Sequence, residues 1–477
     1  MPQNYPKKVT DLAVAIQEAG GRAMLVGGCV RDELMGVEPK DWDLEVYRVE
    51  PEKLRQMLEE FAEKNADEGG RVSFKVVGEA FAVYKLGRDL DVSLPRRERK
   101  IARGHRGFVV TGDPDMSFEE ACSRRDFTIN AILKDPLTGE IIDPFNGRED
   151  INAKTLRHVS DDTFAEDSLR VLRAAQFAAR FEFEVAPETA DLCSSIDVTD
   201  LPRERVWGEL EKLLLLARQP SIGLQLLYDW GTIAQLFPEL QALVGVPQEY
   251  DWHPEGDVDV HTLMVVDEAR KLIDDLDHPR KVAVMLGAVA HDLGKPPTTE
   301  FVEGRIRSRG HDEAGVEPTI SFLDRLGIFT LDGFDVRDQV IQLVRYHLKP
   351  GEFYKVQEKN PVGDGAFRRL ARKVEPDLLY RVAKADSLGR YPDGDRSKMI
   401  FGSEAQEWFI ERVRALDVEK KAPDPILMGR HLIEMGLKPG PQFKEILDAV
   451  YEMQLDGEVT DLDDAVAAAK TVIDKTS

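Results

Sequence analysis

Leu25-Val26-Gly27-Gly28-Cys29-Val30-Arg31-Asp32, followed shortly by Lys40-Asp41-Trp42-Asp43, decides how the first part of the chain folds. Residues 23–26 are a short apolar run ending in two glycines, which predicts a strand entering a tight turn with a helix behind it. Glycines let backbone N–H groups approach a phosphate closely, and a helix N-terminus adds positive potential. Arg31 lies one helical turn after Gly28, within reach of the same anion. Acidic and apolar residues alternate over 41–47, so Asp41 and Asp43 belong to a half-buried strand with both carboxylates on one side. Adjacent carboxylates repel unless a divalent cation lies between them. Oxygen ligands of this kind suit Mg²⁺ completed by substrate phosphates. Asp91, on a predicted strand over 90–94, is a candidate third carboxylate. A Gly-Gly turn alone is a common surface turn and a DxD alone a common strand edge. In this order, with a helix between them, they read as one phosphate and metal site.

Around this stretch, Leu12, Ala15, Ile16 and Ala19 have helical spacing that stops at Gly20-Gly21. Two further strands are expected over 71–77 and 81–86, which completes a small α/β unit. Downstream, Ser123-Arg124-Arg125-Asp126-Phe127-Thr128-Ile129-Asn130-Ala131 places an arginine that can take phosphate or ribose oxygens beside an aspartate that can orient it or accept from a hydroxyl.

These residues carry a resemblance. Residues 27–36 match the pattern GGxVRDxLxG, Asp41 to Asp43 match DxD, residues 124–131 match RRDFTINA, and Ile141-Ile142-Asp143-Pro144-Phe145-Asn146-Gly147 matches a closing segment. Together they resemble the class II tRNA nucleotidyltransferase and bacterial poly(A) polymerase family, within the DNA polymerase β nucleotidyltransferase superfamily. The resemblance implies a polymerase β-like α/β head. It implies that Asp41 and Asp43 hold catalytic Mg²⁺, with Asp91 beside them. Gly27, Gly28 and Arg31 would hold the incoming triphosphate, and Arg125 and Asp126 would join the nucleotide site. The stretch from Pro95 to Arg106 holds six Lys or Arg and one Glu, a local reversal of sign beside Asp91. Most charge runs are solvated faces, but the resemblance implies a flexible loop that helps switch nucleotide choice.

Glu166-Asp167-Ser168-Leu169-Arg170-Val171-Leu172-Arg173 is expected to open a helix, with Asp167, Arg170 and Arg173 at i, i+3 and i+6. The plain reading is an acidic cap with an i, i+3 ion pair, worth tenths of a kcal/mol. The chemical reading goes further. C and A both present an amine beside a ring acceptor, which one Asp and one Arg can pair, whereas U and G do not share that order. An unpaired buried polar group on the wrong base costs about 1–3 kcal/mol. The segment resembles the family's EDxxR template, which gives base reading to Asp167 and Arg170 and places Arg173 near the phosphates. Ser168 stands where the family usually has Pro, and Gln176 where it usually has Arg. The second change puts one phosphate contact in doubt.

His261, His291, Asp292, His311, His347 and Asp386 fall in a predicted all-helical segment in the order H…HD…H…H…D. His291-Asp292-Leu293-Gly294-Lys295 resembles the HD phosphohydrolase signature. Imidazole and carboxylate ligands suit a transition metal such as Mn, Ni, Fe or Zn, and two such metals would activate water for phosphoester hydrolysis. His253, His278 and His431 read as structural.

The chain of 477 residues is long enough for about three domains. Hydrophobic residues at 42% and charged residues at 32% exclude collagen-like and wholly disordered readings. No apolar run is long enough for a membrane helix, and the polar N-terminus carries no signal core. Three scattered cysteines fit a reducing cytoplasm and offer no zinc framework. The net charge of −24 opposes bulk attraction to nucleic acid, so any grip on RNA is local. Residues 245–259, rich in Pro, Gly and acid, read as a linker. The expected order is a head over 1–150, a helical neck over 151–244 carrying the template and tRNA contacts, an all-α HD domain over 245–395 and a helical tail over 396–477.

The resemblance implies addition of CCA to tRNA 3′ ends from CTP and ATP without a nucleic-acid template, and a phosphohydrolase activity at the HD site. One alternative is A-only addition or poly(A) synthesis, although the acidic stretch 455–464 speaks against the latter. Another is phosphohydrolysis of RNA ends or nucleotides, with the head as a binding module.

Overall fold

Seven strands form one sheet in the order Ile141–Ile142, Leu133–Lys134, Arg22–Val26, Trp42–Tyr47, Leu90–Ser93, Val83–Leu86, Phe74–Val77. Described in a computed structural model are residues 5–67, 70–71, 73–77, 83–100, 108–392, 395, 397 and 402–476. The chain divides into two compact units, residues 1–213 with 222–236, and residues 214–221 with 237–477.

The sheet belongs to the first unit. Trp42–Tyr47 pairs parallel with Leu90–Ser93, and the other neighbours are antiparallel. A parallel pair needs a crossover connection, and the amphipathic helix Pro51–Lys64 lies within it, burying Leu54, Leu58 and Ala62. The central strand Arg22–Val26 is buried from Ala23 onward, as its apolar run predicts. Gly27 turns the chain at φ 71°, a left-handed conformation that glycine adopts without steric cost. The helix Gly28–Leu34 follows. The strand expected over 71–77 is confined to Phe74–Val77, and Gly70–Arg71 pairs separately with Ala66–Asp67. The strand expected over 81–86 is described from Val83, and residues 81–82 lie outside the described residues.

Half of the basic stretch is regular structure. Arg96–Lys100 pairs antiparallel with Phe108–Gly112, and its tip, residues 101–107, lies outside the described residues. The template helix begins later than expected. Asp161–Ala165 is a short helix of its own, and the next runs Leu169–Phe181, so Asp167 and Ser168 form the joint between them. Prolines mark helix starts at Pro187 and Pro238, where φ near −65° is preset and the missing N–H is not needed.

In the second unit, helices Val258–Arg270, His278–Ala290, Val336–Tyr346 and Pro376–Leu388 share a core that includes Val265, Leu286, Leu343 and Val382. Gly287 allows close packing: a Cβ there would lie 3.1 Å from the Leu343 side chain and 3.2 Å from that of Val382. This segment is mainly helical, as expected, but it carries two hairpins, Thr299–Val302 with Arg305–Ser308 and Thr330–Leu331 with Phe334–Asp335. Each turns on a residue pair with positive φ, Glu303-Gly304 and Asp332-Gly333, which matches the strand twist. Residues 245–259 are not a linker: Gln248, Glu249, Trp252 and His253 line a cleft against the HD helices. The tail helices Gly429–Glu434, Gln442–Asp456 and Leu462–Thr476 close a small core around Leu432, Ile446, Val450 and Ala469. Among the described residues no helix is long and apolar enough to cross a membrane.

Candidate functional site

In the head, strand register places Asp43 and Asp91, whereas Asp41, expected on the same strand, lies exposed one residue before it, because the ladder begins at Trp42. Asp43 stands opposite Asp91, and Asp91 stands opposite Lys85 on the next strand. The Lys85 ammonium is 2.6 Å from Asp91 Oδ2. Burial pushes the Asp43 carboxyl upward, and the nearby Asp91 and Asp41 charges push it further, with Arg125 and Lys85 opposing. A carboxylate held among two others in partial burial fits a divalent cation, which would relieve that repulsion.

Two arginines border the Gly27-Gly28 turn. A Cβ on Gly27 would stand 3.3 Å from an Arg125 guanidinium nitrogen and 4.0 Å from Asp43 Oδ2. A Cβ on Gly28 would stand 3.5 Å from Arg31 Nη2. At Gly27 a side chain would therefore crowd the Arg125 guanidinium, whereas at Gly28 it would meet Arg31 only in ordinary contact. Arg31 is buried, bonded to Asp32 and to Asn130 Oδ1 at 2.8 Å, and lies over the rings of Phe177 and Phe181. Two strand positions beyond Asp43, buried Glu45 accepts from Arg124 at 2.9 Å, from Tyr47 Oη at 2.7 Å, and sits 3.7 Å from Arg125. Glu45 thus anchors the arginine pair of RRDFTINA.

Asp126 serves a different arginine from its sequence neighbour. Its Oδ2 accepts from Arg173 at 2.8 and 2.5 Å, and its Oδ1 accepts from Asn130. Burial would raise its pKa, but the Arg173 charge and these hydrogen bonds bring it down to about 2. The side chains of Asp167 and Arg170 each have other partners. Asp167 is held in a two-pronged ion pair by Arg205, at 3.1 and 2.9 Å. Arg170 donates to the carbonyls of Arg124 at 2.6 Å and Thr163 at 2.8 Å. Gln176 is buried and its Nε2 has no hydrogen-bond partner among the described residues.

The second unit brings all six predicted HD residues together. His261 Nε2 lies 3.2 Å from Asp386 Oδ1 and 3.9 Å from Asp292 Oδ2. His291 Nε2 lies 3.1 Å from Asp292 Oδ2, and His311 Nε2 is 3.4 Å from Asp292 Oδ1 and 3.2 Å from His347 Nε2. Asp292 therefore belongs to two trios, one with His261 and His291 and one with His311 and His347, with ligand atoms within 4.8 Å of one another in each. Buried His291 Nε2 and Asp292 Oδ2 have no well-aligned hydrogen-bond partner among the described residues, although the Lys295 ammonium lies 2.7 Å from Asp292 Oδ2. Clustered imidazole and carboxylate donor atoms of this chemistry fit a transition metal.

Burial opposes ionisation of Asp292 and Asp386. The charges of His291 and Lys295 for the first, and of Arg390 and His261 for the second, nevertheless hold both well below the usual carboxylate range. Burial and the neighbouring His311 push His347 down to about 4, which leaves a neutral ligand. The adjoining cleft, about 280 Å³, is lined by Lys295, Lys355 and Arg390, so positive charge flanks the cluster. His253, read as structural from sequence, lines this cleft too, whereas His431 does cap a tail helix by accepting from the Met428 N–H. Glu45, Arg205, Lys85 and His253 escaped the sequence reading, because none lies in a motif and each joins its site only through tertiary packing.

Fold and site define a nucleotidyltransferase head combined with an HD domain. Matching families are "Poly A polymerase head domain" over residues 23–157, "Probable RNA and SrmB- binding site of polymerase A" over 182–243 and "HD domain" over 258–391. The chain is 38% identical over 417 residues to the multifunctional CCA protein of Laribacter hongkongensis (strain HLHK9), covering 84% of this chain and 94% of that protein. It is 39% identical over 391 residues to that of Thioalkalivibrio sulfidiphilus (strain HL-EbGR7), covering 79% and 87%. The chain belongs to the multifunctional CCA protein family. In fold it resembles the Bacillus stearothermophilus CCA-adding enzyme solved in complex with CTP, at a TM-score of 0.64 and 21% identity over 98% of both chains.

Proposed function

We infer that this enzyme adds CCA to tRNA 3′ ends from CTP and ATP, and that its HD site hydrolyses phosphoesters. The observation that carries the first activity is Asp43 in register with Asp91 and within the field of the Asp41 charge, set beside the Gly27-Gly28 turn with Arg125 and Arg31. Mg²⁺ held by Asp41 and Asp43, with Asp91 adjoining, would neutralise developing charge on the triphosphate and the attacking oxygen. Arg31 and Arg125 bind the triphosphate, and Arg173, fixed by Asp126, adds a third cation. Asp167 accepts from the base amine and Arg170 donates to its ring acceptor, so C and A fit and U and G do not. No covalent protein intermediate is needed, since positioning and charge stabilisation suffice for phosphoryl transfer.

At the HD cluster, Mn, Ni, Fe or Zn bound by His261, His291, Asp292, His311, His347 and Asp386 would activate water. Lys295 and Arg390 hold the phosphoester's charge. The division of Asp292 between two trios supports a two-metal arrangement. The working boundaries are 1–150 for the head, 151–244 for the neck, 245–395 for the HD domain and 396–477 for the tail. Three free, buried cysteines suit a cytoplasmic enzyme.

The test uses one tRNA transcript ending before CCA, after C, or after CC, incubated with Mg²⁺ and CTP, ATP or both, and sequenced at the 3′ end. Completion of CCA on all three forms, followed by a stop, is the expected result. A added only to the CC form would make it an A-adding enzyme, and a long A tail a poly(A) polymerase. Phosphate release without addition would assign the activity to the HD domain.

A further inference from the structure

Just before helix Val258–Arg270 lies a carboxylate that none of the chemistry above uses. The side chain of Glu255 is fully buried. Its Oε1 is 2.8 Å from His261 Nδ1 and 2.8 Å from His253 Nδ1. Its Oε2 is buried with no hydrogen-bond partner among the described residues.

The other three histidines of the cluster are anchored differently. His291 Nδ1 faces the Ala288 carbonyl at 2.8 Å, His311 Nδ1 the Ser308 carbonyl at 2.7 Å, and His347 Nδ1 the Val344 carbonyl at 2.6 Å. A ring nitrogen that faces a carbonyl carries the proton, so each of these rings turns an unprotonated Nε2 toward the cluster. Of the four, His261 alone has an anion as the near partner of its Nδ1, with the Gly389 carbonyl further off at 3.3 Å. Its Nε2 is the nitrogen that meets Asp386 and Asp292.

We propose that Glu255 is a positioning residue of the metal centre: it fixes His261 as the Nδ1–H tautomer and makes Nε2 of His261 the strongest imidazole donor of the four. This rests on the reading of the HD cluster as a transition-metal site. An anion behind a ligand histidine raises its basicity more than a neutral carbonyl does, and loss of such a partner weakens metal binding by about 10–100-fold. His253 donates to the same oxygen, which keeps the carboxylate from rotating away but competes for its charge.

The experiment titrates metal-free full-length protein with Co²⁺, by calorimetry and by visible absorption, for wild type, Glu255→Gln, Glu255→Asp, His253→Phe and His291→Ala. Glu255→Gln is expected to bind Co²⁺ about 10–100-fold more weakly, with a shifted absorption band. Glu255→Asp keeps the charge and is expected within a few-fold of wild type. His253→Phe, which frees the carboxylate for His261 alone, is expected to bind a few-fold more tightly, and it tests the proposal even if Glu255→Gln does not fold. Wild-type affinity and spectrum in Glu255→Gln would overturn the proposal, and so would an equal loss in Glu255→Asp, or unchanged or weaker binding in His253→Phe. If wild type takes up no Co²⁺, or His291→Ala takes up as much, the reading of the cluster as a metal site fails and this inference falls with it.

Discussion

Replacing Asp126 by Asn should loosen Arg173 and so weaken the grip on both nucleotides without altering the choice between them. Asp126 is buried and accepts twice from Arg173. Its carboxyl sits at about 2 against an ordinary 3.8, because the Arg173 charge and the Asn130 hydrogen bond outweigh the upward push of burial. That difference corresponds to on the order of 2 to 3 kcal/mol of folding stability. In Asp126→Asn, Arg173 keeps Glu209, at 3.7 Å, and the more distant charge of Asp167. For a unit of this size such a loss lowers the melting temperature by roughly 5–10 °C. The sign of the pH dependence follows from the depressed pKa. The contribution is complete above the unfolded value of 3.8 and is lost as pH falls through about 2, so the gap between wild type and variant should stay constant from pH 5 to 8. Scanning calorimetry across that range measures it, and steady-state kinetics adds the functional half. KM for CTP and for ATP should rise together, while the CTP to UTP preference stays put. An unchanged melting temperature, a gap that grows through neutral pH, or a rise in KM for one nucleotide only would refute the reasoning.

Asp41→Ala should abolish nucleotide addition and leave Co²⁺ uptake and phosphoester hydrolysis intact; residual addition in the tRNA end assay would refute the head assignment. Arg205→Met removes the two-pronged partner of Asp167, so UTP misincorporation relative to CTP should rise by about tenfold, the cost of one poorly paired polar group. Lys85→Met frees Asp91 from its 2.6 Å ion pair, and the Mg²⁺ concentration for half-maximal addition should fall several-fold; an increase would show that Lys85 assists rather than competes with the cation. Transition metal at about a hundred times its Kd should stabilise the second unit by about 2.7 kcal/mol, and chelation should return its melting transition to that of His291→Ala.

Much of the head was legible in sequence because its chemistry sits in short local motifs. The Gly27-Gly28 turn falls where its pattern places it and the six HD positions come together, whereas Asp41 lies one residue before the strand that carries Asp43. The supporting layer was hidden. Glu45 looks like one more acid in an acidic strand until Arg124 and Arg125 arrive from nearly eighty positions away. Arg205 opens a later helix with nothing local to link it to Asp167. Glu255 and His253 sit in a stretch whose Pro, Gly and acid content imitates a linker, and only packing against Val258–Arg270 turns that composition into a buried charge relay. The hairpins of the HD segment were missed because strands of two to four residues are too short to outweigh helical patterns on both sides.

The HD donors are spread from helix Val258–Arg270 to helix Pro376–Leu388. During synthesis at roughly 5–20 residues per second, the emerging chain therefore passes several seconds with its first histidines made and its last aspartate absent. A partial donor set on an unfolded chain binds metal poorly. A metal at this cluster would therefore be captured late, after completion of the last helix, and would act as a seal on a finished domain rather than as a nucleus for folding it.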